Sequence, residues 1–390
     1  MTNNKTINFG GFKLDPRLME GISRTGYKKP TPVQKEVIPI ALKGKDLIVT
    51  AQTGTGKTAA FVLPLLHKLL NKKRNSVSAL IVTPTRELAA QIQRDIKDFN
   101  FRTNLRTITV YGGVSAGPQI RALQQGVDIL IACPGRLLDL MNRGHVNLRQ
   151  LDTLVLDEAD RMLDMGFLPD IKRIIAKTPP QKNTMLFSAT FPQQIEKLAK
   201  KSLINPQRIS IGMSKPAHTV SHALFPVPQH LKSKLLLQLL KHTDTKSVLV
   251  FTRTKYKAKQ LANQVGRRGH TVTSLHGNRS QRQRDAAIKG FRSGRYHIMV
   301  ATDIAARGLD INNISHVINY DMPATPDDYI HRIGRTGRAN RSGDAFTLTT
   351  KRDKNMVRKL EKIIDKKIDR NTLKDFNYGR QRPKTYGKFN

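Results

Sequence analysis

The stretch AQTGTGKT, residues 51–58, follows the apolar run DLIVT and precedes AAFVLPLLHKLL, which has helical character. A strand running through a glycine-rich loop into a helix is the context of a P-loop. It implies an α/β sheet with its ligand at the carboxyl ends of the strands. Gly54 and Gly56 let the backbone turn tightly, so that its N–H groups face phosphate oxygens while the helix amino end adds a favourable dipole. Lys57 is placed to reach the β- and γ-phosphates, Thr58 to set its hydroxyl on Mg2+, and Thr53 and Thr55 to line the loop. Ala51 stands where a first glycine is common, and its small side chain keeps the turn possible.

The rest of the chain repeats this alternation. Apolar runs (DLIVTA, SALIVTPT, RTITVYGG, DILIACP, TLVLDEA, NTMLFSAT) are separated by helical segments such as TRELAAQIQRDIKDF, the pattern of a parallel sheet with crossover helices. SVLVFTRT, TVTSLHG, YHIMVATD, HVINY and DAFTLTT continue it in the second half. A length of 390 residues exceeds what one core usually serves. The expected organisation is a first α/β domain over 1–211, a linker over 212–221, a second α/β domain over 222–370 and a basic tail over 371–390. Met356, Leu360, Ile363, Ile364 and Ile368 predict a last helix packed on the second domain. The tail mixes basic residues with Tyr378, Tyr386 and Phe389, and is either a solvated end or a hold on single-stranded nucleic acid.

TLVLDEADRMLDMGF, residues 153–167, places Asp157, Glu158, Asp160 and Asp164 in a chain with 68 basic and 29 acidic side chains. TLVL reads as a buried strand, so the acids fall at its carboxyl end, on the ligand edge of the sheet. Asp157 is positioned to hold Mg2+ through its waters, and Glu158 to orient and activate the attacking water. Helix capping explains one acid at a helix start but not two adjacent ones, which repel unless a cation compensates them. Asp160 takes a structural share, and Asp164 reads as an exposed helix acid.

A net charge of +39 and a pI near 10.6 imply a polyanionic partner. Residues 1–211 hold 32 basic and 16 acidic side chains and the remainder 36 and 13, so both halves should face it. A generally basic, ribosome-associated protein would share this composition. No basic amphipathic helix with aromatic anchors and no apolar run of spanning length argues for a membrane. The single cysteine, Cys133, excludes an internal disulfide, and the opening residues lack a signal-peptide core, so a cytoplasmic location is expected. Neither structural zinc spacing nor a Ser/His/Asp arrangement is present to compete with the phosphate site.

With AQTGTGKT and DEAD at two strand ends, the chain resembles the DEAD-box family of ATP-dependent RNA helicases in superfamily 2. GYKKPTPVQ with Phe9 upstream, PTRELAAQ, Gly112-Gly113, CPGR, SAT, FTRT, LHG, Gln281–Arg284, ATDIAARGLD and HRIGRTGR follow in that family's order from Phe9 to about Thr350. MLDMGFLPDIKRI, HALFPV and the brief tail are most similar to its bacterial RhlE-type branch.

The resemblance implies two tandem RecA-like P-loop domains, with ATP and Mg2+ as cofactors and RNA as partner. Ribosome-assembly or RNA-decay proteins would be further partners. Gln34 would read the adenine edge with two hydrogen bonds and Phe9 would stack on the ring. Arg335 and Arg338 would act as arginine fingers, His331 would connect to the γ-phosphate side or to SAT, and Asp310 would hold the ribose hydroxyls. Thr85, Arg86, Gly113, Gly135, Arg136, Arg253, Gly277 and Thr302 would hold the RNA backbone, with Arg307 linking it to the nucleotide. Such contacts position a strand without reading its bases. Family contacts to ribose 2′-hydroxyls imply RNA rather than DNA. Ser188 and Thr190 would couple hydrolysis to strand separation. The implied activity is RNA-stimulated ATP hydrolysis coupled to domain closure and local, non-processive duplex separation. The rival readings are a DNA translocase on the same scaffold and a non-enzymatic RNA clamp or annealing chaperone.

Overall fold

The computed structural model describes residues 8–51, 54–70, 76–211, 220–243, 246–306, 314–337 and 343–379. Thr53, Arg307, Asp310, Arg338, Tyr386, Phe389 and most of the expected linker lie outside the described residues. The chain divides into two compact units, Met1–Met213 and Ser214–Asn390.

In unit 1, β1 (Leu47–Thr50), β2 (Ala79–Val82), β3 (Thr107–Val110), β4 (Ile129–Ala132), β5 (Thr153–Leu156), β6 (Asn183–Ser188) and β7 (Gln207–Ser210) form one sheet. The order is β3-β4-β2-β5-β6-β1-β7, and every pairing is parallel. Alternate residues feed two cores. Leu47, Val49, Ile81, Ile131, Val155 and Phe187 face one side, and Ile48, Leu80, Val82, Leu130, Leu154 and Leu186 the other. Burial on both faces explains the unbroken apolar runs of these strands.

Unit 2 repeats the design with β8 (Val220–Pro226), β9 (Val248–Thr252), β10 (Val272–Leu275), β11 (Ile298–Thr302), β12 (His316–Asn319), β13 (Gly343–Thr349) and β14 (Asp369–Arg370). Its order is β10-β11-β9-β12-β13-β8-β14, again wholly parallel. Strand for strand this is the order of unit 1 shifted by seven, so each strand of one unit has a positional counterpart in the other.

Three expectations need correction. Val220 and Ser221, placed in the linker, belong to β8. The last helix is Lys354–Ile364; Ile368 lies beyond it as a core residue and Ile363 is exposed. The expected tail does not begin at Asn371. Asp369–Arg370 add an edge strand beside Ala223 and Leu224, after which Leu373 and Tyr378 are buried in the unit 2 core. Tyr378 packs edge-on against Phe376, and its hydroxyl accepts from Leu373 N–H at 3.1 Å. It is a core residue rather than a stacking platform.

Candidate active site

In unit 1 the P-loop follows β1, DEAD follows β5 and SAT ends β6, three neighbouring strands of one sheet. Pairing of Thr50 with Ser188 and of Val82 with Leu156 sets these motifs level at the carboxyl edge. Lys57 opens the helix Lys57–Leu70 and is buried, its Nζ donating to the Ala51 carbonyl at 2.7 Å. Gly54 and Gly56 take φ of 86° and 91°, which glycine adopts without strain. A side chain at Gly56 would also strike Gln34 Nε2 at 2.6 Å.

Gln34 is built into this loop. It closes a capping box on the helix Pro32–Leu42, its Oε1 accepting from Thr31 N–H at 2.9 Å. Its Nε2 donates to the Gly56 carbonyl at 3.1 Å, and the side chain is fully buried. One N–H and one oxygen lone pair are left for a base edge. Phe9 packs edge-on to Phe12 and Tyr27 and is 3% exposed, so in this form it offers a base almost no ring surface.

The acids divide their tasks. Burial pushes the Asp157 carboxyl up to about 7, the nearby Lys57 ammonium pulls it down and Glu158 pushes it up again. The folded chain therefore keeps a proton between about 4 and 7 that the unfolded chain has lost, and stability falls as pH rises through that window. Asp157→Asn should raise the melting temperature of the ligand-free chain at pH 8, where the buried carboxyl has lost its proton. A thermal melt at pH 5, where the gain should shrink, checks the sign.

Glu158 adopts φ 54° and ψ 50°, a left-handed conformation costly for a side chain with a Cβ. Its carboxylate accepts from Arg161 Nη1 at 2.7 Å, and both side chains are buried. Sequence reasoning passed over Arg161, although its i+3 spacing from Glu158 was the available signal. Asp160 is the structural acid. Its Oδ2 accepts from Ala189 N–H, Thr190 N–H and Thr190 Oγ1 at 3.1, 2.9 and 3.1 Å. Its own N–H donates to Ser188 Oγ at 3.1 Å, and that hydroxyl donates to the Thr190 carbonyl at 2.6 Å. DEAD and SAT are thus one hydrogen-bonded unit. Asp164 is exposed.

Three further strand ends of unit 1, those of β2, β4 and β3, carry PTRELAAQ, CPGR and Gly112-Gly113. Thr85 caps the helix Arg86–Phe99 and Arg86 opens it. A Cβ on Gly113, whose φ is 72°, would land on the Arg86 guanidinium. Gly135 is exposed in the first turn of the helix Pro134–Asn142, and Arg136 Nη2 donates to the Val114 carbonyl at 3.0 Å. One sheet edge therefore offers carboxylates and a lysine at one end and helix amino ends with arginines at the other. Cys133, just before that helix, is buried, which pushes its thiol up to about 12 and makes it a poor nucleophile.

In unit 2 the corresponding strands β10, β11 and β9 end in LHG, ATD and FTRT. Gly277 and Arg253 are exposed and Thr302 is half-buried. His331, half-buried, lies in the helix Pro326–Ile333, and Arg335 follows it, 4% exposed. Arg332, between them, escaped sequence analysis. It is buried and holds Asp303 through two bonds of 2.6 and 2.7 Å, the Asn319 side chain at 3.1 Å and the Asp321 carbonyl at 2.7 Å. A forked ion pair of this kind fixes the helix carrying His331, with Arg335 just beyond its end, to the segment after Thr302.

The donor set fits Mg2+. Asp157 and Thr58 offer only oxygen, and among the described residues no group of three His, Cys, Asp or Glu could hold a metal unaided. Mg2+ typically takes one or two protein oxygens and completes its shell with phosphate and water.

Comparison with known proteins agrees with this geometry. A family model for the DEAD/DEAH box helicase matches residues 31–198, and one for the helicase conserved C-terminal domain matches 231–340. DEAD-box ATP-dependent RNA helicase CshA of Bacillus licheniformis is 40% identical over 94% of this chain and 75% of its own length. RNA helicase CrhR of Synechocystis is 42% identical over 95% and 75%. The structure of S. cerevisiae Dbp5 bound to RNA and ADP BeF3 superposes with a TM-score of 0.84 and 31% identity, covering 93% of this chain and 95% of that one. Motif order, twin parallel sheets and these likenesses together establish that the chain belongs to the DEAD-box RNA helicase family.

Proposed function

We propose that this chain hydrolyses ATP in response to RNA and uses the cycle to separate short RNA duplexes or remodel RNA–protein complexes. The observation that carries this reading is the buried group of Lys57, Asp157 and Glu158 beside the hydrogen-bonded unit of Asp160 and SAT, on a sheet edge shared with the motifs proposed for RNA.

Lys57 lets go of the Ala51 carbonyl to bind the β- and γ-phosphates, and the Gly54–Gly56 backbone cradles them. Asp157 and Thr58 would hold Mg2+, which would supply neutralising charge to the phosphates. Glu158 orients the attacking water and takes its proton, its carboxylate held in place by Arg161. Arg335 and Arg338 stabilise charge on the transferred phosphoryl group once ATP and RNA have drawn the units together, and His331 connects to the same side. Gln34, Phe9 and Asp310 hold the nucleoside. Thr85, Arg86, Gly113, Gly135 and Arg136 with Arg253, Gly277, Thr302 and Arg307 hold the sugar-phosphate backbone in a bend that a duplex cannot follow. Sequence-independent binding follows from contacts of this kind.

Ser188 and Thr190 transmit closure through Asp160. Ser188→Ala with Thr190→Ala removes three side-chain hydrogen bonds but leaves the Ala189 and Thr190 N–H bonds to Asp160 in place, so the fold should persist at a cost of about 2–4 kcal/mol. Duplex separation should fall far more than ATPase, measured side by side on one short duplex.

The finer assignment to the RhlE-type branch rests on MLDMGFLPDIKRI and HALFPV. A cytoplasmic location and a role beside ribosome-assembly or RNA-decay proteins are part of the same proposal. The testing experiment is ATP hydrolysis with and without RNA plus unwinding of a short RNA duplex, with Glu158→Gln as control. ATPase indifferent to RNA would overturn it.

A further inference from the structure

The matching sheet orders assign a counterpart to the P-loop in unit 2. β8 takes the place of β1, and the helix Lys232–His242 takes that of Lys57–Leu70. Both helices open on lysine followed by a hydroxyl residue, Lys57-Thr58 and Lys232-Ser233. The glycines are gone: Val227-Pro228-Gln229-His230-Leu231 fills the turn, with residues 229–231 as a 3-10 turn. The place of the Asp157 strand end, after β5, is taken in unit 2 by Tyr320-Asp321 after β12.

These remnants bond to one another. Lys232 is 2% exposed; its Nζ donates to the Tyr320 carbonyl at 3.0 Å and lies 4.0 Å from Asp321 Oδ1. Ser233 Oγ and Tyr320 Oη are 2.9 Å apart. Asp321 Oδ2 accepts from the backbone N–H of Arg253 at 2.9 Å, and the Asp321 carbonyl accepts from Arg332. Burial lowers the Lys232 pKa while Asp321 and Asp353 oppose it.

We propose that Lys232 is a positioning residue for RNA: the lysine and aspartate of a former nucleotide site neutralise each other and so set the FTRT turn that presents Arg253. A buried lysine takes the place of Lys57 at the sheet edge, and the aspartate it balances anchors Arg253 by its N–H. A lysine so buried needs a partner, and here that partner also fixes an RNA contact. The inference rests on Arg253 being an RNA contact, as proposed above.

The test is the RNA dependence of ATP hydrolysis by the full chain, using a single-stranded oligoribonucleotide. Lys232→Met should raise the RNA concentration giving half-maximal stimulation about fivefold, the size of one lost hydrogen bond. The KM for ATP and the rate without RNA should not move, a split that general loosening of the fold would not produce. Asp321→Asn, which disturbs the same latch from its other side, should shift RNA dependence alike and decides the matter if Lys232→Met does not fold. Arg253→Ala is the reference. If it weakens RNA stimulation while folded Lys232→Met or Asp321→Asn leaves it unchanged, the latch is overturned. If Arg253→Ala changes nothing, the RNA path fails and the latch with it.

Discussion

Glu158→Gln should lower RNA-stimulated ATP hydrolysis by about two to four orders of magnitude while ATP and RNA still bind. That range is the contribution of a positioned general base. The amide can no longer take the proton of the attacking water, yet its oxygen can still accept from Arg161 Nη1, now 2.7 Å from the carboxylate. Glutamine is therefore the informative replacement. Alanine would take the buried Arg161 guanidinium from the carboxylate bonded to it and add a stability loss of about 3–5 kcal/mol to the catalytic one. A single-turnover measurement of Glu158→Gln should show ATP retained on RNA and barely cleaved. Near-normal turnover would remove Glu158 from the chemistry and leave its left-handed backbone a purely structural feature.

Arg335→Ala should reduce kcat by about three orders of magnitude or more, the range of an arginine finger, with little change in KM for ATP. The asymmetry follows because the guanidinium acts on charge that develops during phosphoryl transfer, so ground-state binding does not register its loss. Arg335→Lys keeps the charge but loses the planar fork, and should recover only part of the rate. Since Arg335 is buried in unit 2, the assay belongs beside a thermal melt of each variant. A variant that is folded but slow supports the finger, whereas a folded variant with unchanged kcat removes it.

The sheets were legible because strands buried on both faces carry unbroken apolar runs, as in ALIV, ILIA and TLVL. The edge strands β7 and β14 were not. Gln207–Ser210 buries only Ile209 and Asp369–Arg370 buries neither residue, so no apolar pattern marks them. Tyr378 looked like tail because its neighbours are basic and polar, while its burial depends on the core beneath β8. At the site, local context carried Lys57, Asp157 and Glu158. Other contacts around the motifs were hidden because they are set by tertiary register: Asp160 reaches SAT across 29 and 30 residues, and Arg332 reaches Asp303 across 29. Lys232 was invisible for the same reason. LKS resembles GKT only once β8 is seen in the place of β1.

During turnover Lys57 and Glu158 of unit 1 and Arg335 of unit 2 should converge on one triphosphate. A crystal structure of the full chain with ADP–beryllium fluoride, Mg2+ and single-stranded RNA tests it most directly. The Arg335 guanidinium should lie within about 3 Å of the phosphoryl mimic, opposite the Lys57 ammonium. Arg335 remote from the nucleotide in that complex, with RNA bound, would contradict it.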